Sequence, residues 1–512
     1  MIEPAMSVSD TPHQAKLRRM WISLPGDRWH PAPLLDRKAD ALRMLGKGTD
    51  AMPLYQANLQ FARQAGDLRL EVRSLNAMGT LHREWADYRR AMDYFTESLT
   101  RARAAGLSGE EFSALYGQGQ VQEDLGQSEQ ALATFARARQ LAESRNDRAE
   151  MANVHGELGN FYRNLGRYQD ALDNYQRCRD IAGDIGDEWN NVVMAGNIGV
   201  VYAIRGDFRT AERILTAHIQ DLRRLCAVRP LATTLGNLGL VHKELGDYAS
   251  AEELIGEQMA IARRIGDRQG LSNAFGARGL IMHLTGRYDG AVRDLSEQLR
   301  ICEAIGYKRG VSVALSNLGS VHGELGDWQR ALEFYRRDAV ICEELGDKGE
   351  LPETLASLGV ARYETGSPAE GERLLRRAID LAGETGNDYY RCNYLSLLAD
   401  YLARSGRAAE ARGLADEALR VAEATGRAEA TRRAAMARAL AEATDDPELG
   451  VRELRKLLQQ GKTDEERAPV LYELFRLTGG TDYRRAALEV YMRLAAGNPR
   501  QIYRQRADEL KR

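Results

Sequence analysis

The chain has 512 residues, enough for roughly two to four ordinary globular cores, yet no linker or shift in composition divides it into separate ones. With 71 Lys and Arg against 74 Asp and Glu the net charge is -3, a balance that excludes a chain built to neutralise nucleic-acid phosphate or to grip an anionic membrane. Five cysteines, an odd number without a CxxC pair, speak against a disulfide framework or a zinc site; with no apolar run of about 18 residues and no signal-peptide core, the expected location is the cytoplasm.

In chain order, residues 1–32 come first, with Pro4, Pro12, Pro25 and Pro31 beside Trp21 and Trp29. They are too proline-broken for a helix pair and too aromatic for a mere linker, so a cap folded back on the neighbouring helices is expected. From 33 to 426 the sequence repeats every 40 residues, ten times. One column reads Gly79, Gly119, Gly159, Gly199, Gly239, Gly279, Gly319, Gly359 and then Ala399. A second, seven residues on, runs from Gly126 to Gly406, with Ala86 at its head and Gly46 one period earlier. A third reads Ala51, Ala91, Ala131, Ala171, Ala211, Ala251, Ala291, Ala331, Gly371 and Ala411.

Within each period, apolar residues recur at three and four spacing on both sides of a Gly-Asp break such as Gly246-Asp247, which predicts two helices of roughly 16–18 residues. Gly246 can take the left-handed conformation that ends one helix, and Asp247 can cap the next; Gly266-Asp267 and Gly346-Asp347 follow the same logic. Positions 239 and 251 fall in mid-helix, where glycine costs about 1 kcal/mol relative to alanine, so a column of small residues predicts closely crossing backbones. Beyond 426 the pattern decays. Residues 428–460 offer two helical stretches split by Asp445-Asp446-Pro447, residues 464–478 and 482–496 two more, and 499–512 a last helix; 427–512 reads as a degenerate helical cap.

The string Leu315-Ser-Asn-Leu-Gly-Ser-Val-His-Gly-Glu-Leu-Gly-Asp-Trp-Gln-Arg-Ala331 resembles the tetratricopeptide repeat (TPR), whose usual period is 34. At 40 residues it is similar to the long TPRs of LGN/Pins-type scaffolds and of many bacterial regulatory proteins. The resemblance implies an all-α, right-handed superhelical solenoid of antiparallel helix hairpins, with the first helix of each hairpin lining a concave groove. It places groove-facing residues six, three and two before the first-helix glycine, and one, four and five after it.

The position two before supplies Asn197, Asn237 and Asn317, interrupted by Ala277; such amides can hold a peptide main chain whatever its sequence. Four and five after stand Arg83-Glu84, Glu123-Asp124, Arg163-Asn164, Lys243-Glu244, Glu324 and Glu364, an alternation suited to a partner of mixed charge. The rival reading of these side chains is a solvated helix face. Asn160 and Asn197 match the two amides of the TPR clamp for C-terminal carboxylates. Gly156, Thr233 and Asn237 stand where its cations belong, so that clamp is expected to be absent.

His82, His242 and His322 share a column with Tyr162 and Tyr202. Packed helices sit about 8–10 Å apart, so these imidazoles cannot converge on one ion and read as packed side chains. Cys302 and Cys342 share a small slot with Ala142, Ala182 and Ala262 and read as core thiols. No GxxxxGK[ST], GxSxG or HExxH occurs, and no cofactor or metal is expected. RNA-reading helical repeats need a basic groove, which the acidic residues above oppose.

The leading expectation is therefore a non-enzymatic scaffold that binds a partner peptide or helix in its groove. The alternative is a sensor or inhibitor subunit controlling a separately encoded effector such as a protease, kinase or transcription factor. Bacterial peptide-pheromone receptors have long TPRs of this kind, but the 32 residues ahead of the array are too few for the N-terminal domain they carry. An enzyme with its active site in 428–512 is the third reading, and it lacks a cluster of nucleophile, base and orienting group.

Overall fold

The computed structural model describes residues 32–44, 47–425, 428–497 and 501–512. The expected N-terminal cap and Gly46 lie outside the described residues. Among those described, every regular element is an α-helix. In chain order they are α1 (Ala32–Met44), α2 (Gly48–Ala65), α3 (Leu68–Glu84), α4 (Tyr88–Ala104), α5 (Ser108–Asp124), α6 (Ser128–Ser144), α7 (Arg148–Asn164), α8 (Tyr168–Ile185) and α9 (Glu188–Ile204). There follow α10 (Phe208–Arg224), α11 (Val228–Glu244), α12 (Tyr248–Ile265), α13 (Arg268–Leu284), α14 (Tyr288–Ile305), α15 (Lys308–Glu324), α16 (Trp328–Leu345), α17 (Leu351–Glu364) and α18 (Pro368–Glu384). The chain ends with α19 (Asp388–Arg404), α20 (Ala408–Thr425), α21 (Ala428–Asp445), α22 (Pro447–Gln460), α23 (Asp464–Thr478), α24 (Thr481–Gly497) and α25 (Gln501–Lys511).

The turn chemistry is local. Asp247 accepts the Ser250 backbone N–H at 3.2 Å and Asp267 that of Gly270 at 2.9 Å, each satisfying a donor that the helix itself leaves orphaned. Gly246, Gly266 and Gly346 adopt φ of 79°, 69° and 62°, the left-handed region that ends a helix cheaply only for glycine. Ala86, at the head of that column, is held at φ 58°, where its Cβ costs about 1–2 kcal/mol. At Gly346-Asp347 the expected helix start shifts. Asp347 still accepts from the N–H groups of Gly349 and Glu350, but α17 begins only at Leu351, because Pro352 has no N–H to donate to the Lys348 carbonyl and is tolerated only in the first turn of a helix.

The small-residue columns mark where the two helices of a hairpin touch. A Cβ added at Gly79, Gly119, Gly159 or Gly319 would lie 2.9, 2.6, 2.4 or 2.5 Å from the ring of Phe95, Phe135, Tyr175 or Tyr335 respectively. At Gly239 it would meet Ile255 at 2.9 Å and the Ala251 carbonyl oxygen at 3.3 Å. Each first helix thus offers a notch that a large side chain on the second helix fills, giving the interior close packing without distorting either backbone. Where the notch is filled by Ala399 the opposing residue has shrunk to Ala415, and both are fully buried in one cluster.

The chain divides into two compact units, one ending at Val201 and one starting at Tyr202. In each, first helices approach the next first helix (α3 to α5; α11 to α13; α13 to α15) more closely than second helices approach one another, so the first helices form the inner layer. The closest approach between first helices is that of α19 and α21. Its cause is composition: α21 buries Ala430, Ala434, Ala437, Ala439, Ala441 and Ala443, a helix face with almost nothing standing off the backbone.

Candidate partner-binding face

In the first unit the inner-face polar side chains are engaged with one another. Arg83 donates to Asp124 at 2.6 Å and to Gln120 at 2.9 Å, and Gln120 donates to Glu157 at 2.6 Å. Asn160 donates to Glu157 at 3.3 Å, while its carbonyl accepts from the Tyr175 hydroxyl at 2.9 Å and from Asn197 at 3.4 Å. Asn164 donates to Glu123 at 2.9 Å and accepts from Arg163 at 3.3 Å; Glu84 pairs with Arg43 at 2.6 Å. The result is a ladder running across helices α3, α5, α7 and α9. Burial behind this ladder pushes the Tyr175 hydroxyl up to about 12, so it stays a proton donor to Asn160.

In the second unit Asn237 and Asn317 are half-buried on α11 and α15. Lys243 pairs with its neighbour Glu244 at 2.6 Å. Glu324, at the end of α15, is exposed at the side chain yet crowded enough by surrounding protein that burial raises its pKa, with Tyr288 beside it.

The histidines of the shared column are packing residues. His82 stacks on Tyr94 with ring centroids 5.3 Å apart, and His322 on Phe334 at 5.4 Å; both are buried. His242 reaches the capping Asp247 at 3.2 Å. Among the described residues no group of His, Cys, Asp and Glu side chains is arranged to hold a metal ion. Cys302 and Cys342 are buried, and burial pushes both thiols up, away from thiolate reactivity.

Near the C-terminal end of the second unit, four first helices (α17, α19, α21 and α23) enclose a cavity of about 430 Å³. The groove rule locates most of its wall. Glu353, Ala356, Ser357 and Val360 stand six, three and two before and one after Gly359; Asn393, Ser396, Leu397 and Asp400 hold the same places around Ala399. Arg433, Met436, Ala437 and Leu440 hold them again around Ala439, and Glu473 stands six before Gly479. The 40-residue register therefore continues on the inner face through α21, beyond where the sequence pattern decays.

Tyr390 and Tyr394 complete the wall, their rings nearly parallel with centroids 6.0 Å apart. Sequence reasoning missed both, since they stand nine and five before the column residue, outside the groove positions. Tyr394 is 7 % exposed, and its hydroxyl has no hydrogen-bond partner. Burial and the nearby Glu353 raise its pKa, so it is a neutral hydroxyl. Glu353 is itself raised, first by burial and then by the carboxylates of Glu350 and Asp338. Asp338 is almost fully buried and accepts from Ser312 and, at 2.7 Å, from Thr354. The remaining charges of the wall are paired: Arg404 with Asp400 at 2.7 Å, Arg433 with Glu429 at 3.2 Å, and Glu473 with Arg476 at 2.9 Å.

Comparison with known proteins agrees with this architecture. A family model described as tetratricopeptide repeat matches residues 32–104, 150–223, 230–304 and 271–337, and a second model of the same description matches 113–142. No curated protein matches the chain. Among solved structures, a Rap protein complexed with competence and sporulation factor is similar with a TM-score of 0.50 at 14% identity, over 70% of this chain and 98% of that one. The apo quorum sensor NprR from B. thuringiensis is similar with a TM-score of 0.47 at 15% identity, over 68% of this chain and 97% of that one. Aspartyl phosphate phosphatase F from Bacillus subtilis gives 0.47 at 15%, over 64% and 89%. At such identities the likeness is one of fold. No helix among the described residues is long and apolar enough to cross a membrane.

Proposed function

Because the chain belongs to the tetratricopeptide-repeat family, we propose that it is a non-enzymatic interaction protein whose first-helix face binds a segment of a partner protein. The observation that carries this reading is the convergence of equivalent positions from successive first helices on one cavity. Repetition places side-chain amides at equivalent positions of first helices, Asn237 and Asn317 in the second unit, where they can serve a peptide main chain while the gaps between helices take its side chains. Cavities of about 300–1,000 Å³ with a few placed polar groups are the usual form of a binding site, and this one lies within that range.

A regulatory role is the second reading: binding would switch a separately encoded effector. The fold likeness to a Rap protein that was solved with competence and sporulation factor supports it. Both readings share one test. Co-purification from the native lysate identifies the partner, and the partner's binding segment is then titrated against the chain with Asn237 and Asn317 both changed to Ala. A loss of about tenfold or more with unchanged melting supports the groove. Unchanged affinity sinks it. An effector whose activity changes on addition of the chain separates regulator from passive scaffold.

A further inference from the structure

We propose that the cavity between α17, α19, α21 and α23 is the subsite for a cationic side chain, lysine or arginine, of the bound segment; this rests on reading the inner face as the partner-binding surface. Two groups of the wall are left over once the pairings within the chain are counted. Asp400, Glu473 and the two wall arginines Arg404 and Arg433 each have an opposite charge within about 2.7–3.2 Å, so they contribute little net field. Glu353 differs. The residue is exposed yet crowded by surrounding protein, and the charged groups acting on it are the like charges Glu350 and Asp338, so no cation of the chain offsets it. Tyr390 beside it favours the carboxylate without neutralising it.

The second leftover is the Tyr394 hydroxyl, buried at the wall with no hydrogen-bond partner within the chain and next to a space that a ligand donor could enter. It shares the wall with Glu353, which acts on it electrostatically. A lysine ammonium carries three donors and no acceptor, and a guanidinium five. Either one, entering past Glu353, finds the carboxylate as an ionic acceptor, the Tyr394 oxygen as a neutral acceptor, and the aromatic side chains of Tyr390 and Tyr394 in the wall. Its aliphatic stem lies against Val360, Leu397, Met436 and Leu440. A carboxylate in the same place would oppose Glu353, and a purely apolar residue would leave the hydroxyl unpartnered.

The test uses a displayed library of random nonapeptides panned on the full chain. The expected result is a family of peptides with Lys or Arg at one fixed position. Replacing that residue by citrulline or norleucine in a synthetic peptide weakens binding about tenfold in fluorescence anisotropy. Glu353→Gln weakens the parent peptide by a similar factor but leaves the neutral analogue unchanged; Tyr394→Phe weakens the parent about threefold. Equal binding of parent and neutral analogue, or a preference that survives Glu353→Gln, overturns the cationic subsite. If those peptides still lose affinity when Asn237 and Asn317 become Ala, the groove reading stands without it. A library that yields no binder overturns both.

Discussion

Two stretches of inner face, built from the same repeat, treat their polar groups in opposite ways. Across α3 to α9, Arg83, Gln120, Glu157, Asn160 and Asn197 satisfy one another, so removing any of them strands its neighbours. In the cavity of α17 to α23, a hydroxyl lacks a partner and a carboxylate faces only like charge. The same residue types at the same register positions are therefore structural in one place and available in the other. A polar side chain on the inner face argues for a ligand only after its partners within the chain have been counted. The ladder stabilises the fold; the cavity is held in a state that a ligand completes.

The largest effect that tests this contrast is expected at Gly159→Leu. A Cβ there would already lie 2.4 Å from Tyr175, whose hydroxyl supports Asn160, so the substitution wrecks both the notch and the ladder. A loss of about 3 kcal/mol or more is expected, seen as a lower melting temperature by circular dichroism and as faster amide exchange in the neighbouring hairpins. An unchanged melt would mean that the glycine column does not report close helix crossing.

Next comes Glu157→Ala, which removes an acceptor shared by Gln120, Tyr116 and Asn160. It is expected to cost about 1–2 kcal/mol in urea denaturation. Tyr394→Phe is the matched change in the cavity, and it removes a hydroxyl that no group in the chain uses. Its stability is expected to stay within about 0.5 kcal/mol of the parent or to rise slightly. If Tyr394→Phe destabilised the fold as much as Glu157→Ala, the distinction between the two faces would collapse.

Much of the fold was legible in the sequence because steric necessity repeats with it. Gly159 and Gly319 are glycine for the same reason, the ring of Tyr175 or Tyr335 pressing on them, and 40-residue spacing displays that reason repeatedly. Even the exception is readable, since Ala399 is matched by Ala415. The ladder was not seen, although it has a signature: Arg83 to Gln120, Gln120 to Glu157 and Asn160 to Asn197 are all 37 residues apart, one period less a helical turn. Side-chain pairing of that kind depends on rotamers, which periodicity does not carry. The cavity was half-legible. Glu353, Asn393 and Arg433 obey the groove rule, but Tyr390 and Tyr394 reach the wall from positions outside it, and whether a space forms there depends on side-chain packing among several helices, which periodicity does not carry. The late start of α17 needed only Pro352 to be weighed against Asp347.

The smallest effect is one of pH, and it separates the faces most cleanly. In the folded chain burial, Glu350 and Asp338 hold Glu353 above its ordinary 4.5. Between that value and the raised one, the folded state keeps a proton that the unfolded state has released, so the contribution of Glu353 to stability falls as pH rises through the window. Glu353→Gln abolishes the titration and is expected to flatten this decline, giving a variant slightly more stable than the parent near neutrality and indistinguishable from it in acid. Urea denaturation at a series of pH values from about 4 to 7 measures the difference in slope. A bound cation reverses the preference by favouring the carboxylate, so a basic peptide should bind more weakly as the pH falls into the same window. The parent should show that loss, and Glu353→Gln should not. A Glu353→Gln chain less stable than the parent at neutral pH would show that the carboxylate is held by groups within the protein, as Glu157 is, and would move the cavity into the same class as the ladder.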